Sequence, residues 1–199
     1  ASLHRAPMHP AKTAVRALSL GIALYLTHGA AQAALCTVGN FSATGSDPCS
    51  PAPAGTYVST TGATTATNCG AGTYSSAVGA TSSATCTPVP AGTYSSTVGA
   101  TSAAVAIACV AGKYSTTAGA TSATTCISAP AGTYISTTGA SSLAAAVSCV
   151  AGTYSPTVGA SSAATCLQLP AGTYSSAQGL TSAAAASSCP AGTYSTTSG

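Results

Sequence analysis

Eight tyrosines mark this chain at a fixed step, each preceded by Ala-Gly-Thr or, once, Ala-Gly-Lys. Tyr57, Tyr74, Tyr94, Tyr114, Tyr134, Tyr154, Tyr174 and Tyr194 stand 17 residues apart at the first interval and 20 at every later one. A second glycine trails each tyrosine by five residues, from Gly62 and Gly79 through to Gly199. A degenerate first copy, CTVGNF at residues 36–41, puts Phe41 in the tyrosine's place. A period of this length constrains the fold more than any other property of the chain. It demands one small unit used again and again, each copy burying its apolar face against its neighbours. Residues 34–199 read as nine such copies, the last cut short.

Within a unit, short polar and β-branched runs flank a Gly-Ala or Gly-Leu step. Glycine supplies the positive φ that a tight turn needs, so each unit reads as an irregular β-hairpin. A helix competes for stretches such as AAVAIA (residues 103–108) and SAAAASS (residues 182–188). Runs this short, bounded by Gly and Pro, do not hold as isolated helices. The expected fold is small, disulfide-rich and β. It is an elongated, solenoid-like array of hairpin repeats of about 20 residues each, with no single globular core.

The cysteines refine the picture. Two slots, three residues apart, precede each Ala-Gly-Thr-Tyr, and only one slot of each pair is filled. Cys49 is followed by Ala52, Ala66 by Cys69, Cys86 by Val89 and Ala106 by Cys109. The alternation continues through Cys126 and Ala129, Ala146 and Cys149, Cys166 and Leu169, Ala186 and Cys189. Across a tyrosine loop the slots are therefore filled at both ends or empty at both ends. A lone half-cystine mispairs or oxidises in an oxidising compartment. Joint loss is expected if the two ends of one loop bond to each other. The expected pairs are Cys36–Cys49, Cys69–Cys86, Cys109–Cys126 and Cys149–Cys166. A competing scheme links neighbouring loops, for example Cys86 to Cys109, and leaves the joint losses as coincidence. Cys189 is the odd one out, and on this register its partner belongs beyond Gly199, in a longer array. Four unbridged loops carry Pro53, Pro90, Pro130 and Pro170 before the Ala-Gly, which lowers the entropy of the unfolded chain as a crosslink does. Pro190 departs from that rule.

Other features set the compartment. A basic stretch with Arg5, Lys12 and Arg16 precedes the apolar run ALSLGIALYL at residues 17–26, and AQA stands at residues 31–33. That order reads as a secretory signal over residues 1–33, with Met8 a possible true start. An uncleaved anchor is the alternative, but the run is shorter than the ~20 residues a spanning helix needs. All nine cysteines lie beyond the expected cleavage site, where secretion permits disulfides. After residue 33 only Asp47 and Lys113 carry charge, so the formal +3 belongs to the N-terminus and implies no nucleic-acid partner.

The slots with PAGTYS after them, then GATS and another cysteine, resemble the ephrin-receptor-like cysteine-rich repeat. CTPVPAGTYSSTVGATSAA, residues 86–104, fits the pattern with Val89 in place of a cysteine. The resemblance covers roughly residues 36–199. It implies an elongated, disulfide-stapled extracellular module used for spacing or adhesion, and it implies no catalysis. The recurring tyrosines themselves read as repeat core, with carbohydrate binding or oxidative crosslinking as the alternatives. This chain departs from the family pattern by losing half its cysteines.

The mature chain has no His and no Glu, so neither a poised acid–base pair nor a nucleophilic triad can be assembled. No zinc-ligand spacing, phosphate loop, cofactor site or small-molecule substrate is expected. Ser and Thr supply more than a third of residues 34–199, which makes glycans the expected solubilising device. Asn40 in NFS is an N-glycosylation pattern, used or unused, and no motif fixes the O-linked sites. Two functions remain in view. One is a structural component of a cell-surface coat, matrix or filament, self-associating or bound to other extracellular structural proteins. The other is a stalk or ectodomain fragment of a cell-surface receptor or adhesion protein. Ice binding on aligned threonines is a third, weakened because the threonine positions vary between copies.

Overall fold

The computed structural model describes residues 32–194 and 196. The expected signal segment thus lies almost wholly outside the described residues, as do Met8 and Gly199. The described chain contains eight antiparallel two-stranded sheets, each only two residues per strand. Every sheet closes one repeat. Thr93–Tyr94 pairs with Ile107–Ala108, placing Tyr94 opposite Ile107. Lys113–Tyr114 pairs with Ile127–Ser128 in the same register, and Thr133–Tyr134 with Val147–Ser148. The first pair, Asn40–Phe41 with Ser50–Pro51, belongs to the degenerate copy. The described residues hold no α-helix.

Local chemistry explains where each strand begins. In Pro90-Ala91-Gly92-Thr93 the Thr93 amide donates to the Pro90 carbonyl at 3.2 Å, and the Thr93 hydroxyl donates to the same oxygen at 2.7 Å. Gly92 sits third in this turn at φ +83, as a type II turn requires. The same bond forms whether the first residue is Pro, Gly70 or Val110, so proline stiffens a turn the motif already specifies.

The Gly-Ala step does something other than expected. It takes a positive φ at Gly99 and Gly119, yet it is not a hairpin tip. Twelve residues separate Tyr94 from its partner Ile107, and the far end of that excursion is a single 3-10 turn, Ala103–Val105. From the Tyr74 copy onward each described copy takes this turn once, as at Leu143–Ala145 and Ala183–Ala185. The second glycine instead turns its amide toward the preceding repeat. Gly119 N donates to the Val89 carbonyl at 2.8 Å.

Two further bonds join the same pair of repeats. Gly92 N donates to Ser115 O at 2.8 Å, and Ser95 N donates to Ala120 O at 2.9 Å. This triplet recurs down the array. Short parallel bridges, such as Tyr114 to Ala140, mark the same contact. The hairpins are too small to stand alone, and backbone bonds between copies supply what each lacks.

Because backbones meet so closely, the buried positions take small side chains. Ser95, Ser115 and Ser155 are fully buried, each just after a tyrosine. Each serine oxygen accepts an amide two residues on, as from Thr117 N at 3.3 Å in Ser115, so the buried hydroxyl has a partner. The alanine after the second glycine is buried in Ala100, Ala120 and Ala160. The slot before Ala-Gly-Thr-Tyr completes the set, with Cys69, Val89, Cys109, Ala129, Cys149 and Leu169 all at 0 or 1% exposure. No single core gathers the described chain, and the Ala, Ser and Gly content reflects this thin repeated interior.

Candidate functional site

The chemically distinctive groups are the paired sulfurs, the tyrosines and Asn40. The structure joins Cys36 to Cys49, Cys69 to Cys86, Cys109 to Cys126 and Cys149 to Cys166. Three of the four close 17 residues and the first closes 13. Each bond lies inside one repeat, with Cα atoms 5.6 to 5.7 Å apart, inside the usual disulfide range. The first cysteine of each pair is fully buried, and its partner is half-buried except Cys126, which is buried as well. Cys189 is half-buried and has no sulfur partner among the described residues. Peptide mapping under non-reducing conditions is expected to return the four pairs from native protein. A peptide linking Cys86 to Cys109 would overturn them.

Unbridged repeats close the same space by packing. In the Tyr134 repeat the slots hold Ala129 and Ala146, and Ile135 replaces the serine after tyrosine. Ile135 is 0% exposed and clusters with Ala129 and Ala140, while Tyr114, Ala145 and Ala146 pack against them. The Tyr57 repeat repeats the device with Ala52 and Val58, both buried. The other two unbridged repeats reverse it. Val89 and Leu169 fill the slot, and Ser95 and Ser175 come after the tyrosine. A large side chain thus stands at one position or the other, which keeps core volume near constant. The sequence alone held the signal, since Val58 and Ile135 are the departures from serine after an Ala-Gly-Thr-Tyr, and both sit in repeats with an alanine slot.

The tyrosines, expected as repeat core, are enclosed only in part. Tyr57, Tyr74, Tyr94, Tyr114, Tyr134 and Tyr154 are only partly buried. Tyr174 is 51% exposed and Tyr194 86%. Tyr114 packs against Ala129, Ile135 and Ala140 of the next repeat. Tyr174 and Tyr194 have no complete next repeat among the described residues. The interior between backbones is too shallow for an aromatic ring.

Asn40 is part-exposed in the first strand. Its amide donates to Thr37 Oγ1 at 3.1 Å and more weakly to the Val38 carbonyl at 3.5 Å. Ser42 of the same tripeptide donates to the Ser46 carbonyl at 2.6 Å. Lys113 borders a shallow groove with Tyr94, Ile107, Val110 and Cys126, and no acid or histidine lines it. Among the described residues no group of three or more His, Cys, Asp or Glu is placed to hold a metal ion. Among them, too, no helix is long and apolar enough to cross a membrane.

Residues 39–86 match the family model described as tyrosine-protein kinase ephrin type A/B receptor-like. Over residues 39–86 the chain is similar to the ephrin receptor-like cysteine-rich repeat. The match spans the first copies and the Cys69–Cys86 bridge. Later copies keep the hairpin, the inter-repeat bonds and the bridge spacing of the ephrin receptor-like stretch. The matched family is a receptor-like repeat rather than an enzyme family. No match was found among curated proteins.

Proposed function

We propose that this chain is a non-enzymatic extracellular structural repeat protein, a component of a cell-surface coat, matrix or filament. One observation carries the reading: every copy offers the next the same three backbone bonds, from Gly39 N to Val58 O down to Gly152 N to Ser175 O. A specific ligand site ordinarily interrupts such a repeat, and here the interior varies only by volume-conserving exchange. The disulfides and the family resemblance support an extracellular location. Hydroxyls just past the buried serine are exposed in successive copies, as at Ser76, Ser96, Thr97, Thr116 and Thr117. These are the positions where O-glycans would solubilise a nearly uncharged surface. Self-association and other extracellular structural proteins are the partners this reading implies.

Electron microscopy of the secreted protein is expected to show long uniform fibres. Compact monodisperse particles would count against the structural reading. The family description itself favours a second reading, the stalk of a cell-surface receptor. A membrane-spanning segment in the complete reading frame would decide for it.

A further inference from the structure

The staples and the packed repeats alternate strictly, and this alternation has a mechanical consequence. We propose that the chain is an extensible tether whose unstapled repeats yield under tension while the stapled ones hold. The proposal concerns the response of a single chain to load, and it stands whether that chain serves in a fibre or a stalk.

In a stapled repeat the pulling force crosses the sulfur–sulfur bond. Cys109 and Cys126 stay 5.7 Å apart at their Cα atoms however hard the ends are drawn. The 17 residues between them carry no load and add no length. In the next repeat, nothing covalent spans Ala129 to Ala146. Its hairpin holds by the Thr133–Tyr134 pairing with Val147–Ser148, by Ile135 in its small apolar cluster and by bonds to neighbouring copies. Noncovalent contacts of this kind open while a disulfide remains intact.

The geometry sets the step. From Cys86 to Cys109, and again from Cys126 to Cys149, the loaded chain is 23 residues long. At ~3.5 Å per extended residue each such segment supplies about 80 Å of contour. Every closed 17-residue loop withholds about 60 Å by the same measure. The covalent pattern therefore caps extension, and it divides the array into stretches that lengthen and knots that do not. Neighbour bonds flank every yielding repeat on both sides, so an opened copy has a template on which to re-form.

Single-molecule pulling on the full chain, held by handles at its two ends, tests this. Under oxidising conditions the chain is expected to lengthen in separate steps of about 80 Å contour. Added reductant is expected to raise the final contour length by about 220 Å, the length withheld by all four closed loops. The variant A129C/A146C, with Ile135→Ser to make room, installs a fifth staple. It is expected to shorten the oxidised chain by about 60 Å and to remove one step. Equal contour lengths with and without reductant would overturn the proposal by showing that the loops are not closed. A single all-or-none rupture of the oxidised chain would overturn it too, since the unstapled repeats would then be no weaker than the rest. Neither outcome depends on whether the protein forms fibres under the microscope.

Discussion

Replacing Gly112 by alanine is expected to lower the thermal unfolding midpoint by about 10 °C, while the same change at Gly172 lowers it by about 4 °C, at 2–4 °C per kcal/mol for a domain of this size. Both glycines adopt left-handed backbone, with φ of +85 at Gly112 and +80 at Gly172. An alanine there costs roughly 1–2 kcal/mol at either site. The surroundings separate them. A Cβ on Gly112 would fall inside the carbonyl of Gly159, two repeats along, whereas nothing lies within 4 Å of the corresponding point on Gly172. The Gly112 backbone must then move. It donates to Ile135 O at 2.7 Å and accepts from Ala129 N at 2.8 Å, so two bonds to adjoining copies loosen with it. Each is worth about 1 kcal/mol. Differential scanning calorimetry of the two variants beside the parent reads the difference. Equal shifts would mean that the close approach across two repeats does not hold in solution.

That contact shows what a periodic sequence conceals. The step of 20 residues and the joint loss of cysteines are plain in the sequence, because both are patterns along the chain. Whether copy n meets copy n+1 alone or also copy n+2 depends on the rise and stagger between copies, which no single copy encodes. Gly79 and Gly99 illustrate the point. Their positive φ suits a hairpin tip, yet their amides reach back to Ala52 and Cys69 of the preceding repeat. The tyrosines mislead for a related reason. A ring recurring at fixed register normally signals a core, but here the buried layer between backbones holds small residues, half-cystines or one aliphatic side chain. The ring is left partly exposed. Ile135 and Val58 are isolated exceptions in a serine column, and they acquire a meaning only beside Ala129 and Ala52 in the same buried layer.

The same layer yields a second large effect. Changing Cys109 and Cys126 together to alanine is expected to destabilise the protein by about 3–5 kcal/mol, of which closing a loop this long accounts for about 3 kcal/mol. Part of that loss comes from the freer unfolded chain, and part from the empty volume left where two buried sulfurs were removed. Only the second part can be repaired by packing. The Tyr134 repeat shows how: alanine at both slots and isoleucine after the tyrosine. Adding Ser115→Ile to the double variant copies that arrangement one repeat earlier. Ser115 is fully buried and its oxygen accepts only the Thr117 amide among its hydrogen-bond donors, so the exchange leaves one surface amide to water. The triple variant is expected to recover about 1–2 kcal/mol, the worth of burying an aliphatic side chain less the lost hydrogen bond. Urea unfolding under matched oxidising conditions measures all three proteins. In the parent, where the staple remains, Ser115→Ile alone is expected to destabilise by overpacking of about 1–3 kcal/mol. A change of sign between the two backgrounds is the signature of one space filled in two ways. If Ser115→Ile is harmful in both, the aliphatic residue is not what replaces the staple, and the unbridged repeats hold together by their neighbours alone.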